Sequence, residues 1–130
     1  MATLGEIMTR DVFFTAPDDP VADVAAAMLK GRFGSAVVTQ GSVLMGILTE
    51  RDVLRAAASR ADLHSSPVSE WMTNDPVTAA PDTDADEAAE IMMSQGFRHL
   101  PVVEGNVVAG IVSLRDLMRT HIRRPRQPSA

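Results

Sequence analysis

Gly46-Ile47-Leu48-Thr49-Glu50-Arg51-Asp52 and Gly110-Ile111-Val112-Ser113-Leu114-Arg115-Asp116 are two copies of one phrase, set 64 residues apart. Each runs from a glycine through apolar residues to a hydroxyl, then to an acid three positions later. An apolar run suits a buried strand, and Ser or Thr followed by an acid at the third position suits the start of a helix. The same offset extends outward without a gap. Glu6 matches Glu70, Met8-Thr9 matches Met72-Thr73, Asp11 matches Asp75, and Ala16-Pro17-Asp18 matches Ala80-Pro81-Asp82. Further along, Met28 pairs with Met92, Phe33 with Phe97, Gly41 with Gly105 and Arg55 with Arg119. A register kept over this distance marks a duplicated structural unit.

Both copies carry the same succession of elements. Extended segments at Val12 to Thr15 and Val77 to Ala79 end at Pro17 and Pro81, beyond which a helix is expected. Asp19 is a candidate N-cap with Pro20 at the first helical position, and Val21, Val24, Ala25, Met28 and Leu29 follow at helical spacing. In the second copy the face is Ala85, Ala88, Ala89, Met92 and Met93. Two β-rich runs then surround Gln40-Gly41-Ser42 and Gly105-Asn106, which are hairpin signals, and a second helix closes each unit. A β-α-β-β-α unit of this size cannot bury its sheet and both helices alone. The expectation is one α+β module spanning 1–130, with repeats at 4–58 and 68–122, a linker at 59–67 and a basic, solvated tail at 123–130. Two three-stranded sheets should face each other across a pseudo-twofold axis, with two related clefts.

Composition narrows the function. The net charge is -5 and the pI about 5.0, which disfavours a sequence-independent nucleic-acid binder. No apolar run reaches the ~20 residues of a spanning helix, and no signal-peptide pattern opens the chain, so a cytoplasmic protein away from the membrane is expected. There is no cysteine, which removes thiol catalysis and Cys-based metal sites. His64, His99 and His121 sit at no paired ligand spacing, so no metal is expected. Nothing pairs a nucleophile with a base, so the chain is read as a non-enzyme.

The duplicated phrase admits two readings. In one, Thr49 and Ser113 cap helices, and Asp52 and Asp116 complete capping boxes. In the other, a strand that ends at a helix N-terminus offers free amides to phosphate, the hydroxyl donates to it, and the aspartate accepts from ribose hydroxyls. Gly46 and Gly110 would let backbone approach the ligand. Capping alone does not require the repeated glycine or arginine.

This doubled Gly-x-x-Thr/Ser-x-x-Asp motif, together with Arg98-His99-Leu100-Pro101-Val102-Val103, resembles the cystathionine-β-synthase (CBS) domain pair, or Bateman module, over about Leu4 to Ile122. The resemblance implies an adenosine-nucleotide site in each cleft, for AMP, ADP, ATP or S-adenosylmethionine, as a regulatory ligand and not a catalytic cofactor. It implies one cleft joining Thr49 and Asp52 to Val77, Thr78, Arg98, His99 and Pro101. The other joins Ser113 and Asp116 to Phe13, Phe14, Gly34, Ser35 and Ala36. Arg98 and His99 offer charge-assisted donors where Gly34 and Ser35 offer a backbone and a hydroxyl, so the Asp52 cleft is expected to bind phosphate better. Val37 stands where the second repeat has Pro101, a departure from the pattern in the first. The resemblance also points to a homodimer that signals to an effector protein. The apolar residues Met28, Leu29, Leu54, Met92, Met93, Leu117 and Met118 are the expected dimer face. Trp71, the partner of Ile7, is expected to pack the junction between repeats.

Overall fold

A computed structural model describes residues 2–123, with the side chains of residues 120–123 left undescribed. The expected basic tail beyond Arg123, and the side chain of His121, lie outside the described residues. The elements in order are α1 (Leu4–Ile7), β1 (Phe14–Thr15), α2 (Val21–Gly31), β2 (Ser35–Gln40), β3 (Val43–Thr49) and α3 (Glu50–Ala58). After a 3-10 turn at Val68–Glu70 come β4 (Thr73–Asn74), α4 (Ala85–Gln95), β5 (His99–Glu104), β6 (Val107–Ser113) and α5 (Leu114–Arg123). The α+β class and the duplicated β-α-β-β-α order are as the sequence predicts.

Local chemistry sets these boundaries. Gln40 pairs with Val43 and Glu104 with Val107, leaving two-residue turns in which Gly41 and Gly105 take φ of 63° and 62°, where glycine carries no Cβ penalty. Asp19 is not the cap of α2; Pro20 occupies that position. The Asp19 carboxylate instead accepts from the Thr15 hydroxyl at 2.6 Å and the Ala16 amide at 2.9 Å, bonds that hold its pKa down. In the second repeat Asp84 caps α4 by accepting from the Asp86 amide.

The sheets depart from the expected pair of three. One has four strands in the order β1-β2-β3-β4, and β4 comes from the start of the second repeat. Gly46 pairs with Asn74 and Ile47 with Thr73. The other sheet is β5-β6, bordered by single bridges from Ala79 to Val102 and from Thr9 to Ile111. Thr9 and Thr73 are equivalent by the duplication, so each repeat lays its opening segment along the other's sheet. On the parallel edge the Val37 amide donates to the Phe13 carbonyl at 2.8 Å. Pro101, at the equivalent place, has no N–H to give, and the matching strand shrinks to the one Ala79 bridge.

The cores are crossed in the same way. Leu4 and Met8 pack with Ala88, Met92, Leu100, Val102, Val112 and Leu117 of the second repeat. Val68 completes the first repeat's core with Val21, Val24, Met28, Ala36, Val38 and Leu48. Val37 and its partner Ile47 are also buried, yet they lie on the strand face opposite Ala36 and Val38. Trp71 packs against the first core while Ile7 packs against the second, so the two equivalent residues flank different cores.

Of the apolar residues expected at a dimer face, Met28, Met92 and Leu117 are interior instead. They sit on the helix sides turned to the sheets. Leu29, Leu54, Met93 and Met118 remain exposed.

Candidate functional site

At the end of β3 the capping reading is realised in full. The Thr49 hydroxyl oxygen accepts from the Asp52 amide at 3.3 Å, and Asp52 Oδ2 accepts from the Thr49 amide at 2.9 Å and the Thr49 hydroxyl at 3.1 Å. The other carboxylate oxygen holds Arg55 at 3.0 Å, and the Arg55 guanidinium lies 5.8 Å from the centre of the Trp71 ring. Asp52 is 5% exposed. The Trp71 indole nitrogen is buried without a hydrogen-bond partner among the described residues.

The equivalent end of β6 opens onto a cavity of about 510 Å³, inside the ~300–1,000 Å³ range of small-molecule sites. Ser113 caps α5 by accepting from the Asp116 amide at 3.0 Å. Ser113 and Asp116 line the cavity with Phe13, Gly34 and Ser35 of the first repeat, five of the seven residues expected together there. Phe14 does not line it, being exposed to solvent, and Ala36 is buried in the first core.

Arg98 and His99 also line this cavity. The resemblance groups them with Thr49 and Asp52; neither of those two lines this cavity, although the Asp52 carboxylate acts on the His99 ring. The repeats lie close together here: a Cβ on Gly34 would stand 3.0 Å from His99 Nε2. The start of β5 therefore meets the start of β2 and reaches across to α5. Val77 and Thr78 are exposed, and Pro101 is buried in β5 with its carbonyl accepting from the Ala79 amide.

Thr9, Asp11, Arg32, Glu50, Arg115 and Arg119 complete the polar wall and were not anticipated. Arg115 and Arg119 had a readable signal, since positions four apart share a helix face and the pair repeats Arg51 and Arg55. Thr9 and Asp11 enter because their segment crosses to β6. Arg32 had no sequence signal. Phe13 and Phe33 form the apolar wall, stacked with ring centres 5.4 Å apart and planes 23° from parallel.

Gly46 and Gly110 serve a purpose other than ligand approach. A Cβ on Gly110 would fall 2.6 Å from Met8 Sδ and 2.9 Å from the Thr9 carbonyl oxygen. These glycines admit the exchanged segments.

Four arginines face three carboxylates around the cavity, Arg32, Arg98, Arg115 and Arg119 against Asp11, Glu50 and Asp116. A chain of net charge -5 thus concentrates cationic donors here. Burial holds the His99 pKa below 6.5; Glu50, Asp116 and Asp52 act in the opposite sense, and Arg98 reinforces burial. Among the described residues no cluster of three His, Cys, Asp or Glu is placed to hold a metal ion. None of the described helices is long and apolar enough to cross a membrane.

A family model for the CBS domain matches residues 4–59 and again 68–122. An uncharacterised 17.7 kDa protein of Acidianus ambivalens is 41% identical over 122 residues, covering 92% of this chain and 73% of its own length. The crystal structure of a CBS-domain containing protein from Agrobacterium tumefaciens has 31% identity and a TM-score of 0.85, covering 92% of this chain and 99% of that one. The CBS domain pair of protein MJ0100, solved with 5'-methylthioadenosine and S-adenosyl-L-methionine, shares the fold at 23% identity and TM-score 0.86, covering 93% and 96% of the two chains.

Proposed function

Because the chain belongs to the CBS domain family and carries the domain twice, we propose that it is a regulatory module whose Ser113 and Asp116 cavity binds an adenosine-containing ligand. The observation that carries this reading is the convergence on one cavity of the α5 N-terminus, the stacked Phe13 and Phe33 wall and the arginines. Each feature suits one part of a nucleotide. Flat aromatic faces suit a base. Asp116, in the first turn of α5, suits ribose hydroxyls, and the helix amides with Arg98, Arg115 and Arg119 suit phosphate.

AMP, ADP or ATP is favoured by the excess of guanidinium groups. S-adenosylmethionine is the second reading; Asp11 and Glu50 favour it, since they can face a cationic sulfonium. The adenosine ligands in the MJ0100 pair support the ligand class. Thr49 and Asp52 are proposed as a structural cap, on the strength of their closed capping box and the Arg55 ion pair.

The module acts as a homodimer that passes occupancy to an effector protein, without catalysis of its own. The exposed Leu29, Leu54, Met93 and Met118 fall into equivalent pairs, Leu29 with Met93 and Leu54 with Met118, one on each of α2 to α5. A second copy covers them. Ligand energy reaches the effector only as a difference between two dimer arrangements.

Thermal unfolding against adenosine, AMP, ADP, ATP and S-adenosylmethionine tests this. A ligand at ~100 times its dissociation constant stabilises by ~2.7 kcal/mol. A folded chain that no adenosine compound stabilises would leave only a structural, dimer-forming role.

A further inference from the structure

Arg32 ends α2 in the left-handed region, with φ 60° and ψ 38°. Gly96 ends α4 at the equivalent position with φ 78° and ψ 25°. Glycine meets no Cβ penalty in this conformation, whereas an arginine does. The sequence has a glycine within reach, Gly31, but one position too early to relieve the turn. Burial does not account for the arginine, since it is exposed. No hydrogen bond or ion pair from its guanidinium is found among the described residues. What distinguishes it is place: Arg32 lines the Ser113 cavity.

Strain by itself proves little, because Arg60 adopts the same φ of 60° in the turn after α3. Arg60, however, does not line the cavity. Arg32 also breaks the duplication in charge. Arg119 has its counterpart in Arg55 and Arg115 in Arg51, but the counterpart of Arg32 is a glycine with no side chain to offer.

We propose that Arg32 is the residue that makes the Ser113 cavity selective for a phosphate-bearing ligand, its strained backbone retained to aim a guanidinium at that phosphate. This deepens, and in part rests on, the adenosine reading. Phe33 and Gly34, the next residues along the chain, continue the same cavity wall as Arg32. A charge-assisted bond there discriminates phosphate from an uncharged analogue.

The test compares the parent chain with Arg32→Gly and Arg60→Gly by calorimetry, using adenosine, ADP and inorganic pyrophosphate as probes. Both variants relieve a left-handed residue, and each should melt no lower than the parent. Arg32→Gly should bind ADP about tenfold or more weakly and keep its adenosine affinity, while Arg60→Gly binds all probes as the parent does. If ADP binding is equal in Arg32→Gly and the parent, Arg32 has no such role and the adenosine reading stands. If the parent binds pyrophosphate through Arg32 but neither adenosine nor ADP, the adenosine reading falls and the Arg32 assignment stands. Binding of no probe by the parent overturns both.

Discussion

Gly46 lies so close to Thr73 that a Cβ on the glycine would come 2.6 Å from the Thr73 carbonyl oxygen and 2.7 Å from Met72 Sδ. Backbone cannot yield that distance without moving β4 off β3. Gly46→Ala should therefore destabilise the fold by about 1–3 kcal/mol, and Gly110→Ala similarly, since Met8 and Thr9 crowd it. Urea unfolding measures both. Losses under ~0.5 kcal/mol would show that the exchanged segments are loosely held. Leu4→Ala belongs to the same relationship: this residue, four from the start, is fully buried among Met92 and Leu100 of the far repeat. It should cost ~2–5 kcal/mol.

Asp52 and Asp116 occupy equivalent positions and should respond differently to the same change. Asp52→Asn disturbs a closed capping box and the Arg55 pair, and should cost ~1 kcal/mol of stability with ligand affinity little altered. Asp116→Asn alters the cavity wall and should weaken adenosine-ligand binding at least tenfold. Calorimetry on the two variants gives the comparison. Loss of binding in Asp52→Asn with retention in Asp116→Asn would reverse the assignment of the two clefts.

The duplication, and with it the order of elements, was open to reading because its offset holds from Glu6 to Arg119 and each element keeps its own period. Strand exchange was not. Thr9 and Thr73 are equivalent residues, and a repeat pattern is silent on whether a segment pairs with its own copy or the other. The presence of Arg98 and His99 in the Ser113 cavity was hidden by the same silence, since it depends on how closely β2 and β5 approach. Ser113 and Asp116 are marked by the duplicated motif, whereas Phe13, Gly34 and Ser35 enter only through the family resemblance. Arg32 was invisible: its importance lies in a φ angle, and a Gly31-Arg32 order gives no hint that the arginine takes the left-handed place.

The exposed helix faces lead to a third prediction. Leu29 is 84% exposed and Leu54 69%, so a charge at either costs the isolated fold little, within ~0.5 kcal/mol. A dimer that buries them would be split by it. Light scattering should report a dimer for the parent at micromolar concentration and a monomer for the Leu29→Glu, Leu54→Glu double variant, with circular dichroism unchanged. A parent that is monomeric throughout would remove the dimer from the proposed mechanism.

His99 gives a pH dependence whose sign follows from its burial. Its folded pKa lies below its ordinary 6.5, so the unfolded chain takes up the proton first as pH falls. Stability is at its full value above 6.5, declines as pH drops through that value, and stops declining from this cause once the folded pKa is passed. Glu50, Asp116, Asp52 and Arg98 are the charged groups that act on the ring, and a phosphate in the cavity would add a negative charge beside it. Ligand binding should then draw a proton onto His99, and phosphate affinity should rise as stability falls below pH 6.5. In His99→Gln both slopes should flatten in that window, while the acid loss due to Asp19, whose pKa is held below 3.8, stays at lower pH. Denaturant unfolding and calorimetry between pH 5 and 8 measure the two slopes. If His99→Gln keeps the parent's slopes, the proton belongs to another group and the ring is only a wall of the cavity.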